Sequence, residues 1–156
     1  MKKLLMAAFF MICIVAIGNG QDYNTGIGLR GGYFNGLTIK HFITQKAAAE
    51  LILSSRWKGY SITGLYEIHN EAFDNDHLNW YYGIGGHVGF WNGENVKWEN
   101  ENKDYTVIGI DGILGLEFNF KEIPINISID WLPSQNIIGY KGFWSDGGAV
   151  SLRYIF

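Results

Sequence analysis

The chain has 156 residues, with 12 Lys or Arg against 15 Asp or Glu, so its formal net charge is −3. Charged residues make up 17% and aromatic residues 16% of the sequence, and there are 21 Gly but only 2 Pro. This composition excludes a disordered chain, which needs more charge and fewer aromatic residues. It also argues against nucleic-acid binding, because no basic cluster is present. The length predicts one domain.

The first 20 residues are typical of a cleaved signal peptide. Two lysines precede an unbroken apolar run at 4–17, and small residues stand just before position 21. The run is shorter than the roughly 20 residues that a transmembrane helix needs. We therefore expect residues 1–20 to be removed on export and residues 21–156 to form the mature domain. That domain would contain no Cys, because the single Cys13 lies in the apolar run.

The mature chain alternates apolar and polar residues with a period of two. In the clearest stretch, 125–131, Ile and Trp alternate with Asn, Ser and Asp. This alternation is typical of strands with one apolar and one polar face, and no stretch has a convincing helical period. Turn residues separate eight predicted strands, at 23–33, 37–43, 47–57, 59–69, 79–91, 105–120, 124–132 and 147–156.

Three features favour an eight-stranded antiparallel up-and-down transmembrane β-barrel over a soluble sandwich or a lipocalin-like barrel. The polar faces are rich in Gly, Ser, Thr and Asn and poor in Lys, which suits a crowded barrel interior better than a surface in water. The strand number is even, and long connections at 91–104 and 133–147 alternate with shorter ones. The connection at 70–78 is long for a turn on the opposite side.

The third feature is that aromatic residues of the apolar faces fall into two belts when successive strands reverse direction. Aromatic rings prefer membrane–water interfaces, whereas a soluble fold has no reason to sort them in this way. The belt on the side of the long connections contains Tyr33, Trp57, Tyr60, Phe90 and Trp131. The opposite belt contains Tyr66, Trp80, Tyr82, Phe118, Phe120, Tyr154 and Phe156.

The chain resembles the small eight-stranded outer-membrane barrels related to outer membrane protein A and outer membrane protein X. The resemblance covers the whole mature chain and is carried by the signal peptide, the Gly-rich stretches 25–33, 82–89 and 109–118, and the last strand. It implies insertion into the outer membrane of a Gram-negative cell by the barrel-assembly machinery. The sorting signal read by that machinery would be Val150, Leu152, Tyr154 and Phe156. The resemblance does not specify a function, because such barrels serve as anchors, adhesins, binding proteins and a few enzymes.

Nine charged residues fall on the polar faces and should point into the barrel: Arg30, Lys40, Glu50, Arg56, Glu67, Asp111, Glu117, Asp130 and Arg153. A charge in a narrow lumen is costly unless it is paired. We therefore interpret the set as a salt-bridge plug rather than as the lining of a channel. Turns centred on Gln45 and on 58–59 would place Lys40 opposite Glu50, with Glu67 at the same depth.

Other motifs do not indicate chemistry. A G-x-G-x-x-G match at 26–31 lies inside a predicted strand and is followed by no helix, so we expect no nucleotide cofactor. An acidic turn, whose spacing matches no known metal loop, leaves metal binding open; its residues are His69, Glu71, Asp74, Asp76 and His77. The His-x-Ser pair of barrel deacylases is absent, and His87 lies too deep for the acyltransferase arrangement.

The sequence thus predicts a non-enzymatic outer-membrane barrel without cofactors, with a structural or surface-binding role through 91–104 and 133–147. Its expected partners are outer-membrane lipid, lipopolysaccharide, the assembly machinery and an unidentified extracellular ligand, and not nucleic acid. The alternatives are a small pore or ligand transporter and, third, a lipid-modifying enzyme.

Overall fold

A computed structural model describes residues 24–56, 59–73, 75–92, 104–139 and 141–156. These ranges contain no helix that is long and apolar enough to cross a membrane. They form ten strands: β1 (Thr25–Gly32), β2 (Asn35–Phe42), β3 (Ala47–Arg56), β4 (Gly59–Ala72), β5 (Asn75–Asn92), β6 (Asp104–Asn119), β7 (Ile125–Trp131), β8 (Ser134–Ile138), β9 (Gly142–Trp144) and β10 (Gly148–Ile155).

The strands close into an eight-stranded antiparallel up-and-down β-barrel, which confirms the predicted fold class. Each strand from β1 to β7 pairs with its neighbour in the chain, and β10 closes the barrel by pairing with both β1 and β7. Eight wall positions hold ten strands because β7 and β8 share one position and β9 and β10 share another. Both β7 and β8 pair with β6, and Leu114↔Trp131 and Asp111↔Ser134 belong to one register. The break lies at Pro133, which has no N–H to donate to the ladder.

The barrel has two unlike ends. We call the end with the connections 43–46, 73–74 and 120–124 the turn end; it also holds Asn24 and Phe156. The other end, where β5 and β6 are joined by residues outside the described ranges, is the loop end. Side-chain hydrogen bonds fix the tight connections: Thr44 Oγ1 accepts from the Ala47 N–H at 3.0 Å.

The predicted connection at 70–78 is wrong, because most of it is strand. β4 continues to Ala72 and β5 begins at Asn75, with a register shift between Glu71 and Ala72. Phe73 turns the chain with a φ of 57°, and residue 74 lies outside the described ranges. The polar side chains here broke the apolar pattern. They did not prevent pairing, because ladder hydrogen bonds come from the backbone.

The predicted loop at 133–147 is also largely a hairpin. β8 and β9 pair through Ser134↔Trp144, Gln135↔Phe143 and Asn136↔Gly142. This hairpin extends the wall beyond β7 and β10 at the loop end. Of the other predicted loop, 91–104, the first two residues belong to β5 and Asp104 to β6, while 93–103 lie outside the described residues.

The barrel is polar inside and apolar outside. In β4, Ser61, Thr63 and Glu67 are buried, whereas Tyr60 and Tyr66 on the other face are exposed. The same alternation runs around the wall and follows from the opposite directions of successive side chains in a strand. A small apolar cluster lies inside among the polar groups and consists of Ile52, Leu65, Tyr81, Ile113 and Leu132.

Candidate functional site

The turn-end half of the lumen is filled by a charged group that we call the turn-end cluster: Lys40, Glu50, Glu67, His69, Glu117 and Arg153. All six side chains are buried. The Lys40 Nζ lies 2.8 Å from Glu67 Oε2, 3.3 Å from Glu50 Oε2 and 3.6 Å from Glu117 Oε2. It also lies 4.0 Å from the centre of the Tyr81 ring, within cation–π range. One ammonium group therefore serves three carboxylates.

Arg153, on the closing strand β10, is the second cation of the cluster. Its Nη2 donates to Glu50 Oε1 at 2.5 Å, and its Nη1 donates to Ser128 Oγ at 2.7 Å and to Asn126 Oδ1 at 3.1 Å. Its Nε donates to Thr38 Oγ1 at 3.3 Å. The guanidinium of Arg153 thus links β10, the strand that closes the barrel, to β2, β3 and β7 by hydrogen bonds inside the lumen.

A second ion pair lies in the middle of the lumen. Arg30 on β1 binds the Asp130 carboxylate on β7 with two N–H groups, and Nη1 to Oδ2 is 2.7 Å. The Tyr81 hydroxyl donates to the same carboxylate at 3.1 Å. Gly115 makes room for this arrangement: a Cβ there would lie 2.5 Å from Tyr81 Cζ and 2.8 Å from Asp130 Cβ.

Towards the loop end, His87 and Asp111 form a third polar group. The His87 Nδ1 lies 2.9 Å and 3.0 Å from the two Asp111 oxygens, and its Nε2 lies 2.9 Å from Asn136 Oδ1. A cavity of about 30 Å³ lies between this group and Arg30, with the hydroxyls of Ser54 and Ser61 in its wall. That volume suits one or two water molecules rather than an organic ligand.

Aromatic rings cover this cavity at the loop end, and we call Phe34, Trp91 and Trp144 the aromatic cap. Phe34 stacks on Trp144 with ring centres 6.1 Å apart, and Trp91 meets Trp144 edge-on at 6.3 Å. Trp91 is only 4% exposed, and its Nε1 donates to the Arg56 carbonyl at 3.2 Å. The ring fits because its neighbours on the same wall, at 59 and 89, are glycines.

The structure places eight of the nine predicted charged residues inside the barrel, in the three groups described. The exception is Arg56, which is half-buried at the loop end with its guanidinium 3.2 Å from the Tyr33 ring centre. Lys40 pairs with Glu50, as predicted. The predicted register of the next hairpin is wrong by two residues, because Arg56 pairs with Gly59 and Leu65, not Glu67, faces Glu50. Glu67 nevertheless reaches Lys40 diagonally.

The predicted belt residues in the described ranges lie on the outer face. At the turn end they form ring pairs on three strands: Trp80 with Tyr82 at 5.4 Å, Phe118 with Phe120 at 5.0 Å, and Tyr154 with Phe156 at 6.1 Å. Tyr66 is half exposed on β4. On the loop-end side, Tyr60, Phe90 and Trp131 are exposed on the outer face, and Tyr33 is half-buried. Trp57 lies outside the described residues.

The predicted assembly strand lies at the barrel seam. Val150, Leu152 and Tyr154 are each about half exposed on the outer face. Phe156 exchanges two backbone hydrogen bonds with Thr25, each 2.9 Å long. The last residue of the chain therefore closes the ladder against the first strand.

Three contributors to the lumen were missed by sequence reasoning. His69 was assigned to the acidic turn, but it lies inside the cluster. The sequence analysis assigns no role to Tyr81, and Trp91 begins the predicted loop at 91–104. Strand parity alone could have found all three, because each is an odd-numbered residue on the polar face of β4 or β5.

Two residues of the predicted acidic turn, His69 and Glu71, lie in different surroundings. His69 points into the lumen, Glu71 is exposed on β4, and Asp74 lies outside the described ranges. In the part of the chain that is described, no group of three or more His, Cys, Asp or Glu side chains is arranged to hold a metal ion.

In comparisons with known proteins, no protein-family model and no curated protein sequence matches this chain.

Proposed function

We propose that the protein is a non-enzymatic integral outer-membrane β-barrel with a structural or surface-binding role at its loop end. The observation that supports this most strongly is the inside-out polarity of the barrel. Eight charged side chains are buried inside, whereas Leu29, Ile84, Ile129 and their neighbours are exposed over the whole outer wall. Soluble proteins rarely expose apolar patches larger than a few hundred Å². A bilayer is the solvent in which such a wall is stable.

The arrangement of the lumen favours a closed barrel over the alternative of a pore. The turn-end cluster, the Arg30–Asp130 pair and the aromatic cap follow one another along the axis. Between the last two lies a cavity of about 30 Å³, which is large enough for one or two water molecules. An eight-stranded barrel has an interior that side chains can fill, and here they do.

The proposal of a non-enzymatic role is supported by the state of His87. Both of its ring nitrogens are engaged, one with Asp111 and one with Asn136, beneath the aromatic cap. A general base must reach a substrate proton, directly or through one water. A strain lacking the protein should therefore keep its lipid A acylation pattern, and a changed pattern would favour the enzyme alternative.

Fractionation of cells that express the full chain tests the membrane location. We expect the protein in the outer-membrane fraction after carbonate extraction, and we expect the unheated sample to migrate faster than the boiled one on detergent gels. Export would also remove residues 1–20, which mass spectrometry of the purified chain detects. Release as a soluble protein by osmotic shock would contradict the proposal.

The orientation can be tested with a matched pair of exposed phenylalanines. Phe143 lies on the β8–β9 hairpin at the loop end and is 63% exposed, whereas Phe73 lies at the turn end and is 90% exposed. The expected mature chain has no Cys of its own. A bulky maleimide that cannot cross the outer membrane should label Phe143→Cys in intact cells and label Phe73→Cys only after lysis. The reverse result would place the turn end outside.

A further inference from the structure

The side chain of His69 is held between two carboxylates in the turn-end cluster. Its Nε2 is hydrogen-bonded to Glu67 Oε2 at 3.0 Å, and its Nδ1 lies 3.1 Å from Glu117 Oε1. The ring stacks on Tyr81, with ring centres 4.9 Å apart and an interplanar angle of 14°, and Phe42 covers it from another side at 4.7 Å. Packing therefore fixes the ring with one nitrogen towards each acid.

The two contacts differ in what they demand of a neutral ring. A neutral imidazole has one N–H donor and one lone pair, whereas an ionised carboxylate can only accept. With Nε2 donating to Glu67, a neutral ring would leave the unprotonated Nδ1 only 3.1 Å from Glu117 Oε1. A ring that carries both protons places a positive charge beside both acids.

Charge balance points the same way. The cluster holds three acids, Glu50, Glu67 and Glu117, against the two permanent cations Lys40 and Arg153. The cluster therefore has one acid more than it has permanent cations.

The neighbouring polar groups do not change this difference of one. Arg30 and Asp130 neutralise each other, and Tyr81 uses its hydroxyl proton to bind Asp130. The remaining polar neighbours are uncharged: Thr38, Asn119, Asn126 and Ser128. An unbalanced charge in a space closed to bulk water is costly.

We propose that His69 is the third cation of the turn-end cluster and makes the stability of the barrel pH-dependent. With its second proton the cluster is neutral, and without it the cluster carries one excess negative charge. A proton that binds the folded state preferentially stabilises it at low pH, and this stabilisation is lost as the pH rises and the proton leaves. The inference rests on the cluster alone, so it stands or falls independently of the cellular role.

The test is a double-mutant cycle on the full mature chain refolded in lipid vesicles, with urea unfolding as the readout. His69→Gln should lower the urea midpoint in the parent, where it removes the third cation. In a Glu117→Gln background two acids face Lys40 and Arg153, so the same change should shift the midpoint much less. His41→Gln is the matched control, because His41 is exposed and bonds Thr25 instead. Equal losses in both backgrounds would overturn the proposal.

A direct readout on the parent keeps the test decisive even if a variant does not refold. Nitrogen NMR of the selectively labelled histidines at neutral pH should show two protonated ring nitrogens for His69, and one in Glu117→Gln. The parent midpoint should fall as the pH is raised past the point where the ring loses this signal, while that of His69→Gln should stay level. A neutral-imidazole spectrum for His69 in the parent at neutral pH would overturn the proposal.

Discussion

Lys40 on β2 and Glu67 on β4 form an ion pair of 2.8 Å across β3, the strand that separates them in the wall. The pair is possible because both side chains point into the lumen, which is narrow enough for side chains from strands two positions apart in the wall to make contact. The same lysine also faces Glu50 and Glu117. Lys40 therefore contacts all three acids of the turn-end cluster.

Lys40→Met should therefore destabilise the barrel by about 3–5 kcal/mol, because breaking a buried ion pair leaves its partners uncompensated. Removing an acid at the same time, in Lys40→Met with Glu67→Leu, should cost much less. Lys46→Met, at the exposed 43–46 turn, serves as the control. The measurement is urea unfolding in lipid vesicles. If Lys40→Met unfolds at the parent's midpoint, the lumen is wet and the plug interpretation fails.

Gly115 should be intolerant of a side chain, since a Cβ at this position would collide with Tyr81 and Asp130. We expect Gly115→Ala to cost roughly 1–3 kcal/mol, the usual penalty for overpacking. Gly64 on β4 provides the control, because no atom lies within 4 Å of its Cβ position. Gly64→Ala should change the unfolding free energy by no more than about 0.5 kcal/mol. Similar losses for both glycines would mean that the lumen is not packed as described.

We expect Phe156 to contribute both to strand pairing with β1 and to assembly of the barrel in the cell. Deleting Phe156 removes the two backbone hydrogen bonds to Thr25 and the ring beside Tyr154. Phe156→Ala keeps the backbone bonds and removes only the ring. If the ring belongs to the assembly signal, both variants should be lost from the outer membrane, while the alanine variant still refolds in vesicles. Phe143→Ala, away from the seam, should accumulate normally. Normal outer-membrane levels of both Phe156 variants would count against the signal.

The closed lumen predicts that the purified barrel does not conduct ions. Planar bilayers that contain it should show no discrete current steps, because the turn-end cluster and the aromatic cap block the axis at two levels. Trp91→Ala should open the cap but still not conduct, since Lys40 and Arg153 and their acids remain in place. Regular steps in the parent would favour the small pore.

Most of the wall could be predicted from the sequence because alternation reports directly which face of a strand is apolar. Alternation and turn residues predict the eight strands, and parity predicts the inward direction of residues such as Lys40, Glu50 and Arg153. The turn at Gln45 was located well enough to pair Lys40 with Glu50. Where the pattern is regular, the alternating direction of side chains along a strand is sufficient to predict which residues point inward.

The remainder depended on contacts that alternation does not encode. The predicted β3–β4 register is wrong by two residues, because Arg56 pairs with Gly59. The β8–β9 hairpin was missed because backbone pairing continues past Pro133 without an apolar pattern. The role of His69 required knowing that β4 and β6 bring Glu67 and Glu117 to opposite sides of one ring. This contact depends on how the closed barrel brings β4 and β6 together, and the local sequence does not encode it.

The proposed membrane location requires that the apolar face of this barrel meets lipid and that the charged face does not. Tryptophan fluorescence in vesicles made with brominated lipid tests it directly, using variants that retain only Trp131 or only Trp91. Trp131 is 46% exposed on the outer face, whereas Trp91 lies inside at 4%. Bromine near the headgroup end of the acyl chains should quench Trp131 strongly and leave Trp91 nearly unchanged. Equal quenching of the two, or a Trp131 that bromine does not reach, would contradict the account.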